Sequence, residues 1–231
     1  MTPEFWLAVG QIVMIDILLG GDNAVVIALA CRNLPPELRT KGIVWGTAGA
    51  IALRVVLIFF AMSLLKLPYL KLVGALLLLW IGIKLLVPED DDHGKLQASD
   101  RLLGAIKTII VADFVMSVDN VIGIAGAAQG AGHEGHQMPL VIFGLLVSIP
   151  IIVWGSTMVL KLMDRFPIII TAGGMLLGWI AGTLAVTDPV AAPYVPDAAS
   201  TRYFAGVLGA LLVLVVGTVL SRRSDTDSSE T

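Results

Sequence analysis

The sequence has 231 residues, 57% hydrophobic and only 14% charged, with a mean hydropathy of +0.90; a soluble domain carries about 25% charged residues. A net charge of −3, from 15 basic and 18 acidic residues, leaves no electrostatic footprint for nucleic acid. The single Cys31 excludes an intrachain disulfide framework, and hydrophobicity excludes disorder before the polar last ten residues, which leaves a polytopic membrane protein.

Seven apolar runs follow in chain order: Phe5–Leu29, Gly42–Leu65, Pro68–Val87, Gly104–Ala128, Pro139–Leu160, Pro167–Val186 and Tyr203–Leu220. Each is long enough to cross a bilayer as a helix, which takes about 20 residues. The first run has neither a basic leader nor a small-residue cleavage site, so it reads as a span rather than a signal peptide. Pro88–Arg101, with its acidic run Glu89–Asp92, reads as a solvated linker; the sharper alternative is a patch that attracts metal ions. Seven spans put the termini on opposite sides. Eleven Lys and Arg residues fall on the side of the C-terminus and three on the other, with Arg54 inside a span. The positive-inside rule then predicts an outside N-terminus and a cytoplasmic C-terminus.

The chain repeats itself. D-I-L-L-G-G-D-N (16–23) returns as D-F-V-M-S-V-D-N (113–120), at an offset of 97. Further on, Pro68, Gly74, Trp80 and Ile81 match Pro167, Gly173, Trp179 and Ile180 at an offset of 99. Three spans per copy is an odd number, so the second copy enters from the opposite face. The expected fold is all-α: a first three-helix repeat (1–87), the linker (88–103), a second, inverted repeat (104–186), and a seventh helix with a polar cytoplasmic tail (187–231). Secondary transporters often use this plan, with an ion site near the midplane between repeats; some channels share it.

The repeated motif carries the chemistry. Asp16 and Asp22 lie within the first span, and Asp113 and Asp119 at matching depths of the fourth. An Asp at the centre of a membrane helix costs roughly 2.5–3.5 kcal/mol on insertion scales, so four of them need compensating partners and point to function. Residues six apart on a straight helix are rotated by about 240°. Asp16 and Asp22 therefore share a site only if the chain opens between them, which Gly20-Gly21 permits. The second copy has Ser117-Val118 there, a weaker signal for a break. Asn23 and Asn120 add neutral amide oxygens, and no His or Cys joins the motifs. Such hard oxygen donors suit Mg²⁺, Ca²⁺ or Mn²⁺, so the expected metal-binding residues are Asp16, Asp22, Asn23, Asp113, Asp119 and Asn120. The plain alternative is helix capping or pairing with Arg54. Four crowded carboxylates would take up protons when no cation is present and release them to an arriving one, the basis of cation/H⁺ antiport.

Other polar residues speak more softly. Arg54, whose repeat counterpart is Ile151, reads as a counter-ion to the carboxylates or as a snorkelling, lipid-facing cation. Gln11 could line an outer access path or make a helix–helix hydrogen bond. His133, Glu134 and His136 read as a solvated loop on the outer face, with weak metal binding as the sharper alternative, and Cys31 as a plain small residue.

The segments G-G-D-N-A-V-V-I-A-L-A (20–30) and S-V-D-N-V-I-G-I-A-G-A (117–127) resemble the TerC family of integral membrane proteins, its YjbE-like branch in particular, over about residues 5–220. The resemblance implies a bacterial inner-membrane protein related to LysE-like exporters, with family members linked to manganese export and others named for tellurite resistance. It implies that the six motif residues carry the ion. The resulting expectation is a secondary transporter that exports Mn²⁺ in exchange for protons, with no resident cofactor, the lipid bilayer, the cation and protons as its partners, and an oligomeric state left open. A Ca²⁺/H⁺ exchanger or a channel of like architecture is the neighbouring alternative. An intramembrane aspartyl protease needs two carboxylates sharing a proton and, in presenilin-like enzymes, a glycine three residues before the Asp, where this chain has Leu19; no enzyme is expected. A non-transporting scaffold of a stress-response complex has no need of carboxylates in the membrane.

Overall fold

The structure is a computed structural model. It describes the backbone of residues 10, 13–14, 21–64, 67–87, 98–130, 137–191, 193–196 and 198–227, and their side chains except at 61–64, 119–130, 137–141 and 223–227. Within these residues the elements are helices: α1 (Gly21–Cys31), α2 (Pro36–Leu64), α3 (Leu70–Leu86), α4 (Ala98–Gly130), α5 (Gln137–Arg165), α6 (Ile168–Val186) and α7 (Ala199–Asp227). Stretches of α2, α5, α6 and α7 are long and apolar enough to cross a membrane. α3 has 17 residues, about 25 Å at 1.5 Å per residue. Local chemistry marks the ends. Pro36 and Glu37 open α2, since a proline's missing N–H costs nothing in a first turn and an acidic side chain meets the positive end of the helix dipole. Arg165 closes α5 and Lys84 sits in the last turn of α3.

Two differences from the sequence reading stand out. α4 begins at Ala98, so its first turns come from the predicted linker 88–103, and it runs through Ser117-Val118 without a break. A helix in hydrocarbon satisfies every backbone group internally, and Ser117 and Val118 supply no glycine that would make opening cheap. The possible break beside Gly20-Gly21 falls largely outside the described residues; Gly21 itself is helical.

The two motif-bearing helices lie at the centre. One buried cluster joins Ile27 and Leu29 of α1 and Ile109 of α4 to Ile43 of α2 and Leu145 and Leu160 of α5. The other joins Val26 of α1 and Val115 and Met116 of α4 to Leu78 of α3 and Leu177 of α6. α2 and α5 therefore flank α1 and α4 on one side, α3 and α6 on the other, and α7 packs outside against α6 and α3. Sequence-matched glycines sit at matched contacts: a methyl group at Gly74 of α3 would collide with Val115 of α4, and one at Gly173 of α6 with Val25 and Leu29 of α1. The outer surface carries Val56, Phe59 and Phe60 of α2, Leu76 of α3, Trp154 of α5 and Val215 of α7, an apolar face that lipid, not water, would cover.

At the end of the bundle where α6 stops, Asp188 is buried and clamps the start of α3 from 116–119 residues away in sequence. Its Oδ1 accepts the N–H of Tyr69 (3.2 Å) and of Val190 (2.8 Å), and its Oδ2 those of Lys71 (3.1 Å) and Leu72 (3.2 Å). Tyr69, at φ 65°, adopts the left-handed backbone that a side chain disfavours; the cap compensates for that strain. Burial pushes the Asp188 carboxyl up, but the four backbone donors outweigh it and hold the group below its ordinary value of 3.8. A depressed carboxylate stabilises the fold above its unfolded-state value and loses that contribution as pH falls through the folded-state value. Asp188→Asn is expected to lower stability by about 1–2 kcal/mol, the scale of a lost helix cap. It should also flatten the fall in melting temperature below about pH 4. Melting curves of the detergent-solubilised protein from pH 3 to 7 check this, and equal acid sensitivity of the two proteins counts against it.

Candidate functional site

Because α4 is unbroken, Asp113 and Ser117 lie one turn apart on one face. That face meets α2, where Arg54 is 2% exposed and is among the largest fully buried side chains. Arg54 Nη2 donates to Asp113 Oδ1 at 2.6 Å, and Arg54 Nε donates to Ser117 Oγ at 3.0 Å. The Ser117 hydroxyl in turn donates to Asp113 Oδ2 at 3.0 Å. Both carboxylate oxygens and two sides of the guanidinium are thus engaged in a closed triangle. Charge-assisted bonds of this length are the strong kind, and they offset the large cost of taking two charges out of water. The triangle corrects one reading of Arg54: it faces the interior and not lipid.

Asn23 of α1 presents the opposite situation. It is 3% exposed, and both its amide oxygen and its amide nitrogen are buried without a hydrogen-bond partner among the described residues. Such a group normally costs a few kcal/mol, so an orphaned amide in an otherwise packed core is a natural place to look for a ligand. The neighbouring Asp22 is half-buried, its Oδ1 accepts the backbone N–H of Asn23 at 2.9 Å, and it lies within electrostatic range of Arg54 and Asp113. Asp22, Asn23 and Asp113 are therefore the predicted ligands whose side chains the structure describes. Asp119 and Asn120 lie on the helical backbone of α4, with their side chains outside the described set, while Asp16, Gln11 and the loop His133–His136 are outside the described residues altogether. Among the described residues no group of three or more His, Cys, Asp and Glu side chains gathers. Ser117 was visible in the sequence only as a spacer, although its i, i+4 position relative to Asp113 was the signal for its role. Thr47 of α2 and Ser156 of α5, buried hydroxyls without a partner, had no such signal.

A cavity of about 370 Å³ opens between α1, α3 and α4, lined by Asn33, Lys84, Asp100, Arg101 and Thr108 above an apolar floor that includes Leu29 and Ile81. Lys84 also lies over the ring of Trp80, 5.5 Å from its centre. At the same end Arg39 of α2 pairs with Asp164 of α5 at 2.8 Å. Residues from the Lys- and Arg-rich side of the sequence thus meet at one end of the bundle, and Lys71 and Asp188 meet at the other.

These features define a polytopic, all-helical integral membrane protein with a polar site buried among its spans. The model of the integral membrane protein TerC family matches residues 1–225, and the chain belongs to that family. It is 42% identical over 188 residues to YjbE, an uncharacterized membrane protein of Bacillus subtilis, covering 81% of this chain and 83% of the relative. It is 26% identical to YkoY of the same organism, over 73% of this chain and 56% of YkoY. It is 28% identical to the inner membrane protein YgdQ of Escherichia coli, over 55% of this chain and 61% of YgdQ. No solved structure matches.

Proposed function

We propose that this chain is a secondary transporter that exports a divalent cation, Mn²⁺ in the first instance, by alternating access through a site of Asp and Asn oxygens, with H⁺ as the exchanged ion. The observation that carries this reading is the buried Asp113 held by Arg54 at 2.6 Å in the centre of an apolar helical bundle. Ionisable groups at that depth face bundle interiors and mark ion pathways. The unpartnered Asn23 amide, on the other motif-bearing helix, supports it. The donor set favours hard cations; Mn²⁺ and the outward direction rest on the family resemblance. No enzymatic activity is proposed.

The proposed architecture is seven spans arranged as two inverted three-helix repeats plus α7, in the bacterial inner membrane. It is supported by the central position of α1 and α4 and by the matched contacts of Gly74 and Gly173. The eleven-to-three Lys and Arg asymmetry puts the C-terminus in the cytoplasm, which impermeant thiol labelling of a Ser228→Cys tail in intact cells tests. In this orientation the cavity lined by Asn33 and Asp100 lies on the cytoplasmic side of the site.

Purified protein in proteoliposomes loaded with a pH dye decides the function. With the membrane potential collapsed, Mn²⁺ added on one side is expected to move inward as protons move out, faster than Mg²⁺ or Zn²⁺. Preference for Ca²⁺ would make the protein a Ca²⁺/H⁺ exchanger, and Mn²⁺ flux indifferent to a pH gradient would make it a channel or uniporter. No cation movement in any condition would remove the transport reading.

A further inference from the structure

The buried triangle is lopsided. Arg54 of α2 engages Asp113 of the second motif, whereas the sequence-matched position on α5 is Ile151, so Asp16, the counterpart of Asp113 in the first motif, has no sequence-matched arginine. Asp113 has a partner on each oxygen, Arg54 and Ser117, while on α1 the Asn23 amide beside Asp22 has no hydrogen-bond partner among the described residues. A divalent cation binds carboxylate oxygen at about 2.0–2.6 Å. At that distance from Asp113 it would be pressed against the guanidinium, and in a low-dielectric interior like charges repel strongly. A cation at Asp113 and Arg54 therefore compete for the same negative charge.

We propose that Arg54 is a tethered substitute for the transported cation: it neutralises Asp113 while the carrier is empty and gives the carboxylate up when a cation enters from the Asp22–Asn23 side. This rests on the transport reading above and adds to it a positioning residue and an order of events. Its consequence is a division of labour between the two legs of the cycle. The loaded carrier reorients with the cation compensating Asp113. The metal-free carrier returns with Arg54 compensating Asp113 and the exchanged protons on the other carboxylates. Without Arg54 the empty carrier would have to pass through its closed state with an uncompensated buried carboxylate.

Two flux measurements on the same proteoliposomes separate these legs. Net Mn²⁺ efflux into Mn²⁺-free medium requires the empty return, whereas exchange of labelled for unlabelled Mn²⁺ at equal concentrations does not. For Arg54→Gln, net efflux is expected to fall at least about tenfold, because an uncompensated buried charge adds to the barrier of the return step. Exchange should stay within about twofold of wild type, since the loaded leg is untouched. Arg54→Lys, which keeps the charge, should recover much of the net efflux. A purely structural arginine would lower both fluxes in step with the amount of folded protein; that result, or undiminished net efflux, overturns the proposal. Should Arg54→Gln fail to fold, Ser117→Ala carries the test. Removing the hydroxyl that steadies both partners weakens the substitute cation, so Mn²⁺ binding measured by calorimetry should tighten about threefold or more, and unchanged or weaker binding overturns it. If wild-type protein carries no Mn²⁺ in either flux assay, the transport reading falls first and this proposal with it.

Discussion

Asp22→Asn and Asp119→Asn are each expected to reduce Mn²⁺ transport to that of protein-free vesicles, with the protein inserted in normal amount. An Asn in place of either Asp keeps the shape and an amide oxygen but withdraws one negative charge from the set that would bind the cation. Insertion should not suffer, since an Asp at the centre of a span is the costlier residue, by roughly 2.5–3.5 kcal/mol against a neutral reference. Asp22 is the safer of the two structurally: it is half-buried, and its described hydrogen bond is to the adjacent Asn23 backbone. Transport and membrane insertion, measured side by side, distinguish loss of the site from loss of the protein. If either half tolerates replacement of its Asp and Asn together, Asp22 with Asn23 or Asp119 with Asn120, and transport stays normal, a site shared by the two repeats is wrong.

The second large effect concerns α7. Its backbone lies directly against that of α6: a methyl group on Gly178 would run into the carbonyl of Gly209, one on Gly209 into the carbonyl of Gly178, and one on Gly182 into the carbonyl of Ala205. Lipid tails are as apolar as leucine, so membrane helices gain little from burying large side chains and associate through close contact of small residues. Overpacking usually costs about 1–3 kcal/mol. Gly178→Val is expected to exceed that, because the obstacle is a neighbouring backbone that no rotamer change can clear. The yield of monodisperse protein and its melting temperature in detergent check this. Gly104→Ala, on the exposed side of α4 with nothing within 4 Å of the added methyl, is the control and should be neutral. A melting temperature for Gly178→Val equal to that of the control would mean that α6 and α7 are not held by this contact.

Much of this protein was legible in its sequence because the bilayer is a demanding solvent. Hydrocarbon satisfies no backbone polar group, so the span-length apolar runs Gly42–Leu65, Pro139–Leu160, Pro167–Val186 and Tyr203–Leu220 announce helices, and the helices appear. The same solvent makes intramembrane carboxylates expensive, which is why Asp22 and Asp113 could be singled out without a structure; both lie on the two central helices. α4 starts at Ala98, six residues before the apolar run that begins at Gly104, because its polar first turns extend beyond that run and hydropathy does not register them.

Which group compensates which carboxylate was decided by tertiary structure alone. Arg54 precedes Asp113 by 59 residues, and no periodicity within either helix encodes that meeting; it follows from how α2 docks on α4. Asp188 caps α3 across 116–119 residues because the end of α6 comes to rest beside Tyr69. α7 is seated by its glycines against those of α6. Sequence determined the spans and the chemical types of the site, because solvent and insertion cost act on each segment by itself. Packing determined the partners, because a hydrogen bond or a backbone contact depends on positions a few tenths of an ångström apart that only the assembled bundle defines.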